Sequence, residues 1–191
     1  MLHPREHRRF SVDEYFLLEE QSPSKNEFWA GEIFAMSGGS LEHNCIVANL
    51  IWRLGAALEG KNCRVYPSDL RVYVERRQLI TYPDVLVVCG APRLLTGRRD
   101  TITDATVILE VLSPSTQDYD KNEKFRSYRE LPSFGEYLLI SQDEVRVEQH
   151  RRQAPGEWLM NEHTSLAAVL ELSSIGVDLT ISSLYAGVFS D

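Results

Sequence analysis

A chain of 191 residues with 43% hydrophobic and 25% charged side chains is long enough for one compact domain, and its balance is that of an ordinary soluble globular protein. Its formal net charge of −8 argues against a protein that coats nucleic acid non-specifically, because phosphate contacts demand a basic surface. No stretch approaches the roughly 18 consecutive apolar residues of a bilayer-spanning helix, which excludes a membrane partner of that kind.

The opening segment, Met1 to Arg9, carries charges with no apolar run behind it, unlike a secretory leader, so the expected location is cytoplasmic. Ser11 followed by Glu14 forms a capping box and starts a short helix that ends at Ser22-Pro23-Ser24. Asn26 to Met36 reads as a hairpin turning near Ala30-Gly31, and Ser37-Gly38-Gly39-Ser40 as a loop. From Leu41 to Leu58, apolar residues at Ile46, Val47, Leu50, Ile51, Leu54 and Leu58 recur every three or four positions, giving a long helix with one buried stripe. The period then changes. Cys63 to Tyr66 and Leu70 to Val74 alternate as strands, whereas Pro83 to Cys89 and Ala105 to Leu112 are continuous apolar runs, the pattern of central strands covered on both faces. Ser115 or Thr116 can cap a helix running to about Glu130. Glu136 to Ile140 and Val145 to His150 supply further strands, and the tail from Trp158 reads as short strands and a final helical turn. This order predicts an α/β fold, a mixed central sheet flanked by helices.

Cys45, Cys63 and Cys89 are odd in number and offer no closely spaced pair, so all three are expected as reduced, buried small hydrophobes. Trp29, Trp52 and Trp158 are expected in the core rather than as base-stacking platforms. The basic pairs Arg76-Arg77, Arg98-Arg99 and Arg151-Arg152 read as solvated surface, and His150 and His163 have no visible partners.

The chemistry concentrates on two carboxylates set in apolar strands, Asp84 and Glu110. An unpaired buried charge costs several kcal/mol, so two on neighbouring strands imply a cation between them, and hard oxygen ligands suit Mg²⁺ or Mn²⁺. The plainer alternative has Asp84 capping a turn after Pro83 and Glu110 pairing with a lysine or arginine. Asp120, Lys124 and Tyr128 recur every four residues and share one helical face, either as a surface ion pair or as the means of returning Lys124 to the carboxylates.

Pro83-Asp84 on one strand and Glu110 on the next resemble the core of the PD-(D/E)XK nuclease superfamily. The ordered set Tyr82-Pro83-Asp84-Val85, Leu109 to Thr116, Asp120, Lys124, Tyr128 and Glu136-Tyr137 is similar to the Uma2 family of endonucleases, and Gly31 to Ser37, His43 and Asp69 also fit that pattern. The resemblance implies a restriction endonuclease-like fold forming a single domain over 1–191, with a nuclease-like core at about 10–150 and a strand and short-helix extension at 151–191. It implies Mg²⁺ (or Mn²⁺) held by Asp84, Glu110 and the backbone carbonyl of Val111, and hydrolysis of DNA with Lys124 as third catalytic residue. Glu32, His43, Asp69 and Asp120 are secondary candidates, and a homodimer is the implied assembly. One departure is visible: the superfamily's lysine two residues after the acid is Leu112 here, and Lys124 takes its place. A non-catalytic binding or regulatory protein on the same fold, and a hydrolase of RNA, remain as alternatives.

Overall fold

The computed structural model describes residues 8–114 and 116–189; Ser115, one of the two expected helix caps, and most of the opening segment lie outside them. Helix α1 (Val12–Glu19) begins at the capping box, where the Glu14 amide donates to Ser11 Oγ at 3.1 Å and the Ser11 amide to Glu14 Oε2 at 2.8 Å. Strands β1 (Asn26–Trp29) and β2 (Glu32–Ala35) form the hairpin. Ala30 and Gly31 both take left-handed backbone (φ 48° and 91°), as a two-residue turn matched to strand twist requires. Helix α2 (Leu41–Ala57) is capped by Ser40, whose hydroxyl accepts the His43 amide at 3.1 Å.

Two sheets follow. The six-stranded one joins β3 (Cys63–Pro67), β6 (Val85–Cys89), β8 (Val107–Leu112), β9 (Glu136–Ser141), β10 (Val147–Ala154) and β11 (Glu157–His163) in the order β11-β10-β9-β8-β6-β3. Its neighbours are antiparallel except β8 and β9, which run parallel. The second sheet adds β4 (Arg71–Val74), β5 (Leu79–Thr81) and β7 (Thr101–Ile102) to the hairpin, in the order β2-β1-β5-β4-β7. A small hairpin, β12 (Val169–Leu172) with β13 (Val177–Thr180), and the turn Ile181–Leu184 complete the chain.

Alternation along the central strands sorts side chains into two layers. Val85, Val87, Val107, Leu109 and Val111 join Ile46, Leu50 and Leu54 of α2, together with Leu170, Leu172 and Leu184 of the C-terminal hairpin and turn. Leu86, Val88, Ile108 and Leu112 face the other way, toward Tyr128, Leu131 and Phe134 and toward Val72, Val74 and Leu79 of the second sheet. The sheet is thus covered on both sides, as its unbroken apolar strands require. Glu110, between Ile108 and Leu112, belongs by this alternation to the second layer.

That layer is closed by a third helix built in three pieces: Gln117–Tyr119, a π-helical stretch Asp120–Lys124, and Phe125–Tyr128. Thr116 stands at its cap position without a side-chain capping bond; its hydroxyl lies instead 2.9 Å from Ser113 Oγ.

Two expectations are corrected. Cys63 and Cys89 face each other directly in the β3–β6 register and are joined as a disulfide, leaving Cys45 as the free, half-buried thiol among the described residues. Trp52 is not core but 62% exposed. It sits two residues, about 200° of helix rotation, from Leu50 on the buried stripe, and the Arg53 guanidinium lies 4.0 Å over its ring.

Candidate active site

The antiparallel register Val85↔Leu109 and Leu86↔Ile108 makes Asp84 and Glu110 the next opposed positions, at the end of β6. The backbone locks them together: the Asp84 amide donates to Glu110 Oε2 at 3.2 Å, and the Val111 amide donates to Asp84 Oδ2 at 2.8 Å. Both carboxylates, with Val111, line a cavity of about 500 Å³ between the two sheets and the third helix.

Lys124 enters from the helix. Its ammonium lies 3.2 Å from Glu110 Oε1, 2.9 Å from Asp120 Oδ1 and 3.2 Å from Glu27 Oε1. The Tyr128 hydroxyl donates to Glu110 Oε1 at 3.1 Å, so the four-residue spacing of Asp120, Lys124 and Tyr128 does turn one face toward the strand acid. Burial alone would lower the Lys124 pKa, but Glu110, Glu27 and Asp120 together raise it well above the ordinary lysine value, and it stays protonated. Burial pushes Glu110 well above the usual carboxylate range, with Asp120, Asp84 and Glu27 adding to the shift and Lys124 opposing it. Glu27 is raised by burial against the pull of Lys124.

His43 completes the arrangement from the first turn of α2. Its Nε2 lies 3.3 Å from Asp84 Oδ1, and that hydrogen bond raises its pKa above the ordinary imidazole value, against the effect of burial. The preceding loop presses on this ring. A Cβ at position 39 would come within 2.5 Å of His43 Cδ2, so glycine there lets the backbone pass against the imidazole.

Asp84, Glu110, Val111, Lys124, His43 and Asp120 are therefore brought together. Glu32 is not: it is exposed, opposite Trp29 at the turn end of the hairpin, beyond the cavity lining. Asp69 is 83% exposed and paired with Lys25 at 2.5 Å, because the chain after Pro67 leaves the central sheet for the second one. Glu27 is the residue that the sequence reading passed over. Its signal was the one that drew attention to Glu110, a carboxylate beside apolar residues on a strand. His150 and His163 do have partners, the Phe125 ring at 4.5 Å between centroids and Gln149 Oε1 at 3.3 Å.

Four carboxylates, Glu27, Asp84, Glu110 and Asp120, thus surround one ammonium and one imidazole. This excess of buried negative charge and its hard oxygen donors fit a divalent cation such as Mg²⁺ or Mn²⁺. Among the described residues no three His, Cys, Asp or Glu side chains are grouped so that together they could hold a metal ion. An ion could be held by Asp84, Glu110 and the Val111 carbonyl, the remainder of its shell being water, as Mg²⁺ commonly is.

The mixed sheet, its flanking helices and the paired carboxylates at a strand end define a restriction endonuclease-like α/β protein. The crystal structure of "a putative nuclease belonging to DUF820" from Anabaena variabilis ATCC 29413 shares this fold, with a TM-score of 0.76 at 18% identity, covering 94% of this chain and 99% of that one. The Uma2 family profile, described as "Putative restriction endonuclease", matches residues 12–182. The chain belongs to the Uma2 family. Two proteins of Synechocystis sp. (strain ATCC 27184 / PCC 6803 / Kazusa) are similar along most of their length. The uncharacterized protein slr1290 is 36% identical over 182 residues, spanning 94% of this chain and 93% of its own. The uncharacterized protein sll1609 is 36% identical over 160 residues, spanning 84% and 90%. Among the described residues no helix is long and apolar enough to cross a membrane.

Proposed function

We propose that this protein is a metal-dependent endonuclease that hydrolyses phosphodiester bonds in DNA. The observation that carries the reading is the pair of carboxylates, Asp84 just before β6 and Glu110 within the antiparallel β8, opposed across the strands and facing one cavity with the Lys124 ammonium. Asp84, Glu110 and the Val111 carbonyl would hold Mg²⁺ or Mn²⁺, which when bound supplies charge neutralisation at the scissile phosphate.

The remaining roles fall to the protein's own groups. Lys124, kept protonated by three carboxylates, is suited to stabilising negative charge rather than to accepting a proton, and it fixes the Glu110 carboxylate through Oε1. The Val111 amide binds one oxygen of Asp84 and His43 the other, which fixes the orientation of the carboxylate. His43 is the group in the cavity best placed to exchange a proton with water beside Asp84. Asp120 and Glu27 hold the ammonium in place and are positioning residues.

Incubation of plasmid DNA with the purified protein and Mg²⁺ or Mn²⁺ tests this. Nicking or cutting is expected, and Asp84→Asn should lower it at least about a hundredfold, the scale of losing a charge-stabilising group in an active site. Equal activity in the wild type and Asp84→Asn would assign the cutting to a contaminant and remove the reading.

A further inference from the structure

The same cavity has a second character that phosphodiester chemistry does not require. Trp29, Phe34, Met36, Tyr82 and Tyr119 all contribute to its lining. The Trp29 and Tyr119 rings stand 6.1 Å apart between centroids, and Phe34, in register with Glu27 across the hairpin, is 43% exposed. The Tyr119 hydroxyl is buried without a hydrogen-bond partner among the described residues. Aromatic side chains therefore lie next to the carboxylates, with one phenol free to accept or donate a bond.

Electrostatics sharpens the point. Proteins that grip a duplex do so through several lysine or arginine contacts to phosphate. Among the described residues Lys124 is the one lysine or arginine in this lining, and it is already shared among Glu110, Asp120 and Glu27. None of the basic pairs Arg76-Arg77, Arg98-Arg99 or Arg151-Arg152 reaches the cavity. The lining itself offers rings rather than further cations, and rings of this kind bind by stacking on bases. A base inside a duplex is stacked between its neighbours and presents no face to them.

We infer that the substrate enters as an unpaired stretch of DNA, with a nucleobase stacked on the Trp29–Phe34 wall and its adjoining phosphate at Asp84 and Glu110. This rests on the nuclease reading for the phosphate and on the aromatic wall for the base.

The test compares a fluorescently labelled single strand with the same strand annealed to its complement, using the full chain in Mn²⁺. Cleavage is followed on gels and binding by anisotropy. The single strand should be cut at least about tenfold faster than the duplex. Phe34→Ala should raise KM for the single strand about tenfold with kcat little changed, the scale of one lost stacking contact, and Phe34→Trp should restore it. Phe34 is exposed, so its truncation leaves the core intact, which a melting curve checks. Equal cutting of both substrates with no effect of Phe34→Ala would overturn the inference and leave the nuclease reading standing. Absence of cutting, with single-strand binding that Phe34→Ala weakens, would overturn the nuclease reading and support the base-stacking wall. Neither cutting nor binding would overturn both.

Discussion

Two glutamates on adjacent parallel strands are equally hidden from water and are held in opposite ways. Glu136, on β9, is fully buried, and its oxygens accept from Ser174 N at 2.9 Å, Ser174 Oγ at 3.0 Å, Ser173 Oγ at 3.1 Å and Gln149 Nε2 at 3.3 Å. All are neutral donors, and the chain is closed tightly there: a Cβ at Gly135 would meet Ser174 Oγ at 2.4 Å. Glu110, on β8, is 3% exposed, shares one ammonium with two other carboxylates and faces a cavity. Burial of an acid therefore says only that something holds it. A shell of hydroxyls and amides pins a loop to a strand, whereas several carboxylates around one lysine leave negative charge that an incoming cation would offset.

The contrast predicts opposite responses to substitution. Glu110→Gln should lower cleavage at least about a hundredfold while moving the melting temperature little, since it removes one of several crowded negative charges. Glu136→Ala should leave the activity of folded molecules unchanged. It removes the acceptor shared by Ser173, Ser174 and Gln149, and should cost about 3 kcal/mol, a fall in Tm of about 6–12 °C for a chain of this size. Thermal melts and cleavage rates on the same samples decide the matter, and an inactive Glu136→Ala with unaltered Tm would break the distinction. The next largest effect is that of the metal. Mn²⁺ at a hundred times its Kd should stabilise the wild type by about 2.7 kcal/mol. It should stabilise Glu136→Ala by the same amount and Asp84→Asn by little. A shift that persists in Asp84→Asn would place the ion elsewhere.

How much of this was legible beforehand follows from the range of each signal. Local patterns carried α1, the hairpin, α2 and the strands around Asp84 and Glu110, because caps, turns and hydrophobic period are written within a few residues. The pairing of Asp84 with Glu110 was legible too, since two carboxylates in apolar strands have few places to go. Features decided at a distance were not. Glu27 meets Lys124 only when the hairpin folds over the third helix, and the Cys63–Cys89 link depends on the β3–β6 register. The short strands β5 and β7, three and two residues long, carry too little period to stand out, so the second sheet and the cavity between the sheets were unseen. The π-helical stretch at Asp120–Lys124 has no sequence mark at all, yet it carries two of the cavity's charged residues.

The smallest effect probes whether the two regions are independent. His150 lies on β10, opposite Tyr137 in the strand that begins with Glu136, and its ring packs on Phe125, the residue after Lys124. Burial lowers its pKa below the ordinary imidazole value, and Lys121 and Arg129 push the same way against Glu148. The unfolded chain therefore binds the proton more readily than the folded one. Stability from this group is complete above the unfolded pKa of about 6.5 and is lost as the pH falls below it. Since the ring is only half-buried and screened by solvent, the fall in Tm should be smaller than either stability change above. His150→Phe keeps an aromatic ring against Phe125 and removes the titration, so the difference in Tm between wild type and variant should change between about pH 7.5 and 5.5. Cleavage measured over the same interval should change alike in both proteins, because neither His150 nor Phe125 lines the Asp84–Glu110 cavity. If the variant also alters the pH profile of cleavage, the Phe125 contact couples the Glu136 region to Lys124, and the two glutamates can no longer be treated separately.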